Sequence, residues 1–279
     1  MTFSEKLKKA IDNAGSSLMI GLDPVITRLP TKVQKQIASE TEAVRMFCQD
    51  VIENTLDTTC GYKLNLAFFE ALGDDGLEVF HEVCRYIPDD KIVLADAKRG
   101  DIGNTASMYA TAFYDQFGCD AITINPLMGM ETLLPFLQDE SKAVFALALT
   151  SNPGAADVLL QKLENGKTVS EHLAGEMSKL QQQPEVKGTI GMVTGATQTE
   201  YLRDVIAAFP GGPLLIPGIG LQGGTPDGII ELMRDFDNQA IPVISRSIIY
   251  AYEQDDPHWI RSVQKAAQTY SDAFRPLAG

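Results

Sequence analysis

Residues 92–105, Ile92-Val93-Leu94-Ala95-Asp96-Ala97-Lys98-Arg99-Gly100-Asp101-Ile102-Gly103-Asn104-Thr105, hold the change of pattern that decides the fold. An apolar run ends in charge, turns at Gly100 and passes into a helical pattern over 104–116. Side chains alternate along a strand, so Asp96 and Lys98 share a face with Ile92 and Leu94. Asp101 and Thr105 follow one helical turn apart, on one face of the next helix. The stretch reads as a buried strand with charges at its C-terminal end and a helix directly behind it.

The same unit recurs on both sides of this stretch. Apolar runs rich in Val, Ile and Leu occupy 17–23, 61–69, 92–98, 121–127, 144–150, 188–195, 213–218 and 242–249. Helical patterns lie between them at 38–56, 74–86, 104–116, 168–182 and 256–272, and residues 1–15 read as an amphipathic helix. Near-continuous apolar strands alternating with helices imply a parallel sheet covered on both faces. The repetition predicts an α/β protein, a (β/α)8 TIM barrel, forming a single domain over 1–279; a doubly wound open sheet is the alternative. Polar residues gather at the C-terminal ends of the runs: Asp23, Lys63 with Asn65, Asp96 with Lys98, Asn125, Thr150 with Ser151, and Arg246. In a parallel barrel that end carries the active site.

Composition narrows the function. The chain carries 23 Lys and Arg against 37 Asp and Glu, a net charge of -14. Such a field repels phosphate backbones and anionic lipid, so neither nucleic acid nor membrane is expected as a partner. A local basic site still admits a small anion. No apolar run approaches the ~20 residues that span a bilayer, and the N-terminus lacks the apolar centre of a signal peptide. Cys48, Cys60, Cys84 and Cys119 form no C-x-x-C pair, and His81, His172 and His258 are scattered. A zinc site is not expected, and the cysteines read as reduced thiols of a cytoplasmic protein.

From spacing alone, Asp96 and Lys98 form either a simple ion pair or part of a working site, and Asp101 either caps a helix or joins that site. Charges in a barrel mouth are costly unless paired, and two Lys with two Asp would hold one another ionised. The segment DAKRGDIGNT (96–105) resembles the D-x-K-x-x-D signature of the orotidine 5'-phosphate decarboxylase family. Lys63 in GYKLNLAFFE is similar to the lysine that completes that family's Lys-Asp-Lys-Asp tetrad. The resemblance extends over GLDP at Asp23, TSNPGA (150–155), VTGAT (193–197), PGIGLQGG (217–224) and ISRSI (244–248). It implies decarboxylation of orotidine 5'-phosphate to UMP and CO2, the last step of UMP biosynthesis, without metal or cofactor. Lys63, Asp96, Lys98 and Asp101 are then the catalytic residues. Asp101 and Thr105 would come from the partner subunit, so the resemblance implies a homodimer with shared active sites. Asp23 and Asn65 would meet ribose hydroxyls or the site network. Thr150 and Ser151 would face the pyrimidine, with their separate roles open.

Residues 218–223 read as G-x-G-x-x-G, the dinucleotide fingerprint. That fingerprint predicts an acidic residue ending the following strand; this chain has Arg246 there. A monophosphate cup is the better reading, with glycine N–H groups, the Gln222 amide and the Arg246 guanidinium as donors. Two competitors remain. A metal-dependent sugar-phosphate decarboxylase or aldolase would carry an acidic ligand where this chain has Lys63. A noncatalytic phosphate-binding barrel would not need two lysines and two aspartates together.

Overall fold

The apolar runs become strands because each has one side facing the barrel axis and the other facing helices. The computed structural model describes every residue except 38, 197, 198, 221, 222 and 279. Among the described residues, the strands are β1 (Met19–Leu22), β2 (Gly61–Asn65), β3 (Ile92–Arg99), β4 (Ala121–Ile124), β5 (Ala143–Leu149), β6 (Thr189–Thr194), β7 (Leu214–Ile216) and β8 (Ala240–Ile244). They run parallel in chain order and close as a barrel. Closure is made by β1 on β8, Met19 opposite Val243 and Ile20 opposite Ile244. That pairing excludes the open sheet.

Alternation sorts the side chains into two cores. Ile20, Tyr62, Val93, Ile122 and Val144 point outward beneath the helices. Met19, Ile92, Leu94, Phe145, Leu215 and Ile241 point inward. The inner core is sealed at the N-terminal end by helix Phe3–Ala14, which contributes Phe3, Leu7, Ala10 and Ile11. Their spacing marks one helical face. Thr2 and Glu5 form a capping box, Gly15 ends the helix in the left-handed region at φ 61, and the Phe3 ring meets Phe145 edge-on at 6.1 Å. Lys6 ties the helix to Asp120 at 2.6 Å. With one end plugged, the C-terminal end is left to form a site.

Several boundaries differ from the sequence reading. The second run stops at Asn65, whose side chain accepts the Ala67 N–H and starts helix Leu66–Glu70. The fourth stops at Ile124, where Asn125 accepts the Leu127 N–H and caps a 3-10 turn. The eighth starts at Ala240, and helix Arg246–Ile249 takes over its expected end. After the second and fourth strands the following residues are largely apolar, and after the eighth Ile248 and Ile249 extend the apolar pattern; an apolar run alone does not distinguish strand from buried helix. The helix expected at 104–116 is α-helical over Gly103–Ala110 and a π-helix over Thr111–Gln116.

Candidate active site

The site begins with the register of β2, β3 and β4. Asn65 lies opposite Asp96, and Lys63 opposite Leu94, so Lys63 and Asp96 reach the barrel axis from adjacent strands. On the other side of β3 the register jumps from Ala95–Ile122 to Arg99–Ile124. This bulge re-aims the side chains within it. Lys98 sits in the bulge at φ 46, the one described non-glycine residue with positive φ. Holding a non-glycine residue there costs about 1–3 kcal/mol, and the conformation persists only where the surroundings enforce it. The result is that Lys98 Nζ lies 2.6 Å from Asp96 Oδ1.

Asp96 is the hub. Its Oδ2 accepts from Lys63 Nζ at 2.7 Å, and its Oδ1 accepts from Lys98 and from the Thr123 hydroxyl at 2.9 Å. Burial alone would push the Asp96 carboxyl up. The charges of Lys63 and Lys98, with their hydrogen bonds, outweigh it and hold Asp96 well below the usual carboxylate range. Burial likewise works against the Lys63 ammonium, but Asp96 and then Asp23 win and raise its pKa. The two lysines are not equivalent: the Lys63 side chain is 7% exposed and that of Lys98 50%. Lys63 is fixed beneath the site, and Lys98 is presented to whatever enters.

These residues floor a cavity of about 430 Å³, within the range of small-molecule sites. Asp23, Asn65, Thr150, Ser151 and Arg246 line it, and Leu147, Val193, Leu215 and Val243 make an apolar side. Asp23 is held by its backbone: the Tyr250 hydroxyl donates to the Asp23 carbonyl at 2.8 Å and accepts the Val25 N–H at 2.6 Å. Burial pushes Tyr250 up to about 12, so the hydroxyl keeps its proton. Asp23 Oδ1 is buried and takes no hydrogen bond among the described residues; Lys63 Nζ stands 3.9 Å from it. Asn65 commits its oxygen to Ala67, which leaves its NH2 as a donor. Thr150 donates to Asn152 at 2.7 Å.

The rim is built by the ends of β7 and β8. Gly218 and Gly220 take φ 94 and 87, which glycine allows without a Cβ penalty. A side chain at Gly220 would meet Ser247 Oγ at 2.7 Å, so this loop rests directly on the turn carrying Arg246. Arg246 forms no ion pair among the described residues and faces the cavity with Gly218 and Ile219. Gln222 lies outside the described residues.

Two expected residues are not brought in by this chain. Asp101 accepts the Ile102 N–H at 2.8 Å and forms no ion pair among the described residues. Thr105 is exposed on helix Gly103–Ala110, and neither residue lines the cavity. Asn125 is spent on its turn; the β4 residue at the site is Thr123, which sequence reasoning missed. The signal was present, since Thr123 shares strand parity with inward-facing Ala121, but an over-long strand drew attention to its end.

The family model of the orotidine 5'-phosphate decarboxylase / HUMPS family matches residues 16–256. The orotidine 5'-phosphate decarboxylase of Dehalococcoides mccartyi strain CBDB1 is 39% identical over 277 residues, 98% of this chain and 97% of its own. The structure of Leishmania donovani OMP decarboxylase superposes with a TM-score of 0.80 at 29% identity, covering 99% of both chains. The Leishmania donovani UMP synthase gives 0.82 at 31% identity; there the match covers 99% of this chain and 57% of that one.

Proposed function

This chain belongs to the orotidine 5'-phosphate decarboxylase / HUMPS family, and from that premise we propose how its residues do the work. Its activity is the decarboxylation of orotidine 5'-phosphate to UMP and CO2, the last step of UMP biosynthesis. The observation that carries the proposed roles is the half-exposed Lys98 ammonium, pinned to Asp96 on the cavity floor with buried Lys63 behind it.

In this reading Arg246 grips the phosphate at the rim with the glycine loop, and Gln222 joins it. Asp23 accepts from one ribose hydroxyl and Asn65 donates to another. Ser151 and Thr150 face the pyrimidine edge. The ring is thereby set with its carboxylate toward Asp96, whose charge disfavours a second carboxylate. When the carbon–carbon bond breaks, CO2 leaves and the electron pair stays on the ring carbon. Lys98 is the cation beside that carbon and gives it a proton; water then reprotonates the amine. Lys63 keeps Asp96 ionised and aimed, so the field is in place before reaction.

The fourth charge of the family pattern, Asp101, is proposed to serve a partner's cavity, with Thr105 beside it. Supporting this homodimer are the position of both outside their own cavity and four exposed apolar side chains on the segments that follow β3 and β4. Ile102, Met108, Leu127 and Met128 are apolar and each more than half exposed, as interface residues are before association. The chain is further proposed to act as one domain in the cytoplasm, without nucleic acid or membrane partners. All four cysteines are unpaired, including Cys84 and Cys119 with sulfurs 4.0 Å apart. Among the described residues no helix is long and apolar enough to cross a membrane.

Lys63 also bears on metal. A cation buried at this strand end repels a divalent ion, and among the described residues no three His, Cys, Asp or Glu side chains gather. Protein treated exhaustively with chelator and mixed with orotidine 5'-phosphate is expected to consume the orotate absorbance at its full rate. Loss of activity that magnesium restores would place the chain on a metal-dependent branch instead.

A further inference from the structure

We propose that Thr123 is a positioning residue that fixes Lys98 at both ends, an inference that rests on the roles given above to Lys98 and Asp96. Thr123 lies on β4, 1% exposed, on the inner face. Its hydroxyl accepts the Lys98 backbone N–H at 2.9 Å and meets Asp96 Oδ1 at 2.9 Å. The direction of both bonds is forced. A backbone N–H only donates and an ionised carboxylate only accepts, so the single hydroxyl proton goes to Asp96.

The two bonds answer two separate needs. The bulge takes β3 out of register with β4 between Ala95 and Arg99, so the Lys98 N–H turns to a side-chain acceptor in place of a ladder carbonyl. The Thr123 side chain supplies it and stabilises the left-handed turn at φ 46. At the other end, Asp96 Oδ1 takes Lys98 Nζ at 2.6 Å together with Thr123, while Oδ2 takes Lys63 at 2.7 Å. With donors on both oxygens the carboxylate plane cannot rotate without breaking bonds. One hydroxyl therefore sets both the backbone from which Lys98 springs and the anion toward which it points. Thr123 touches no reacting atom in this account; it acts through Lys98. Misplacing a reacting group by 1 Å is enough to cost about 100-fold in rate.

The test compares Thr123→Val, which keeps the shape and removes the hydroxyl, with Thr123→Ser, which keeps the hydroxyl. Lys98→Ala is measured alongside. Thr123→Val is expected to lower kcat about 10- to 100-fold while the Kd for UMP, the product, stays within about twofold. Thr123→Ser is expected to retain kcat within about threefold of wild type. A Thr123→Val enzyme with unchanged kcat overturns the proposal. So does a Thr123→Ser enzyme as damaged as Thr123→Val, because the methyl group would then be what matters. So does a UMP affinity that falls in step with kcat. If Thr123→Val does not fold by circular dichroism, Thr123→Ser against Thr123→Ala makes the same comparison, since the two differ by the hydroxyl alone. Failure of the underlying reading shows separately: Lys98→Ala retaining more than about a tenth of kcat removes Lys98 from the chemistry whatever Thr123 does.

Discussion

Lys63 and Lys98 carry the same charge to the same carboxylate and are asked to do different things. Lys98 reaches the cavity, so Lys98→Ala should abolish turnover with the circular dichroism spectrum unchanged. Lys63 is buried, and its contribution is electrostatic support with a defined pH range. The Asp96 carboxyl is held below its ordinary range, so its stabilisation is present above about pH 4 and lost as pH falls through its folded pKa. Lys63 is raised, so its stabilisation is present below about pH 10.4 and lost as pH rises through its folded pKa. The stability lost in Lys63→Met should therefore be constant between about pH 5 and 9 in denaturant titrations. A loss that disappears by pH 8 would mean that Lys63 is neutral in the folded protein. Arg246→Ala should weaken phosphorylated substrate by several kcal/mol, as expected for a bidentate charged contact, and scarcely affect the slow reaction of the unphosphorylated nucleoside. Equal damage to both would place Arg246 at the reacting end. Lys63 and Asp96 were legible in the sequence because alternation survives as far as Asp96; Lys98 was named on the same alternation but is brought to the cavity by the bulge. The bulge that turns Lys98 back, and with it Thr123, was not legible. A register shift belongs to two strands at once and leaves no mark on either alone.

The strands were legible in number, since each is an apolar run, and the longer helices in kind; the short helices Leu66–Glu70 and Arg246–Ile249 read as parts of strands. The ends of the elements were less legible. Asn65 and Asn125 look like polar strand residues but act as caps, converting an apolar run into a helical turn at the following residue. The N-terminal helix was readable as amphipathic, but its task was not. Nothing in residues 1–15 says that their apolar face meets strand starts lying far along the chain. That task predicts a clean separation of stability from catalysis. Phe3 is fully buried against Phe145 at the end opposite the cavity. Phe3→Ala should cost about 3–5 kcal/mol of stability by cavity formation, seen as a lower Tm, with kcat and KM unchanged. A changed KM at unchanged Tm would mean that the helix communicates with the cavity rather than plugging the barrel.

At the scale of the molecule, a strongly acidic chain keeps a small cationic site for an anionic substrate. The barrel makes this possible by collecting Lys63, Lys98 and Arg246 from β2, β3 and the end of β8 at one mouth. The closed barrel was foreseeable from eight repeated units, but its closure rests on β1 and β8, whose pairing no local pattern announces. What one barrel does not complete is the four-charge pattern, because Asp101 does not line its own cavity. On the shared-site proposal each cavity is finished by the partner's Asp101, and this proposal can be tested directly. It is tested by making Lys98→Ala and Asp101→Ala separately, confirming that each is nearly inactive, and mixing them through dissociation and reassociation. Random pairing makes about half the dimers mixed, each with one doubly defective site and one site with neither defect. Activity should therefore return to about a quarter of the wild-type value; verified subunit exchange with no recovered activity would contradict the shared site.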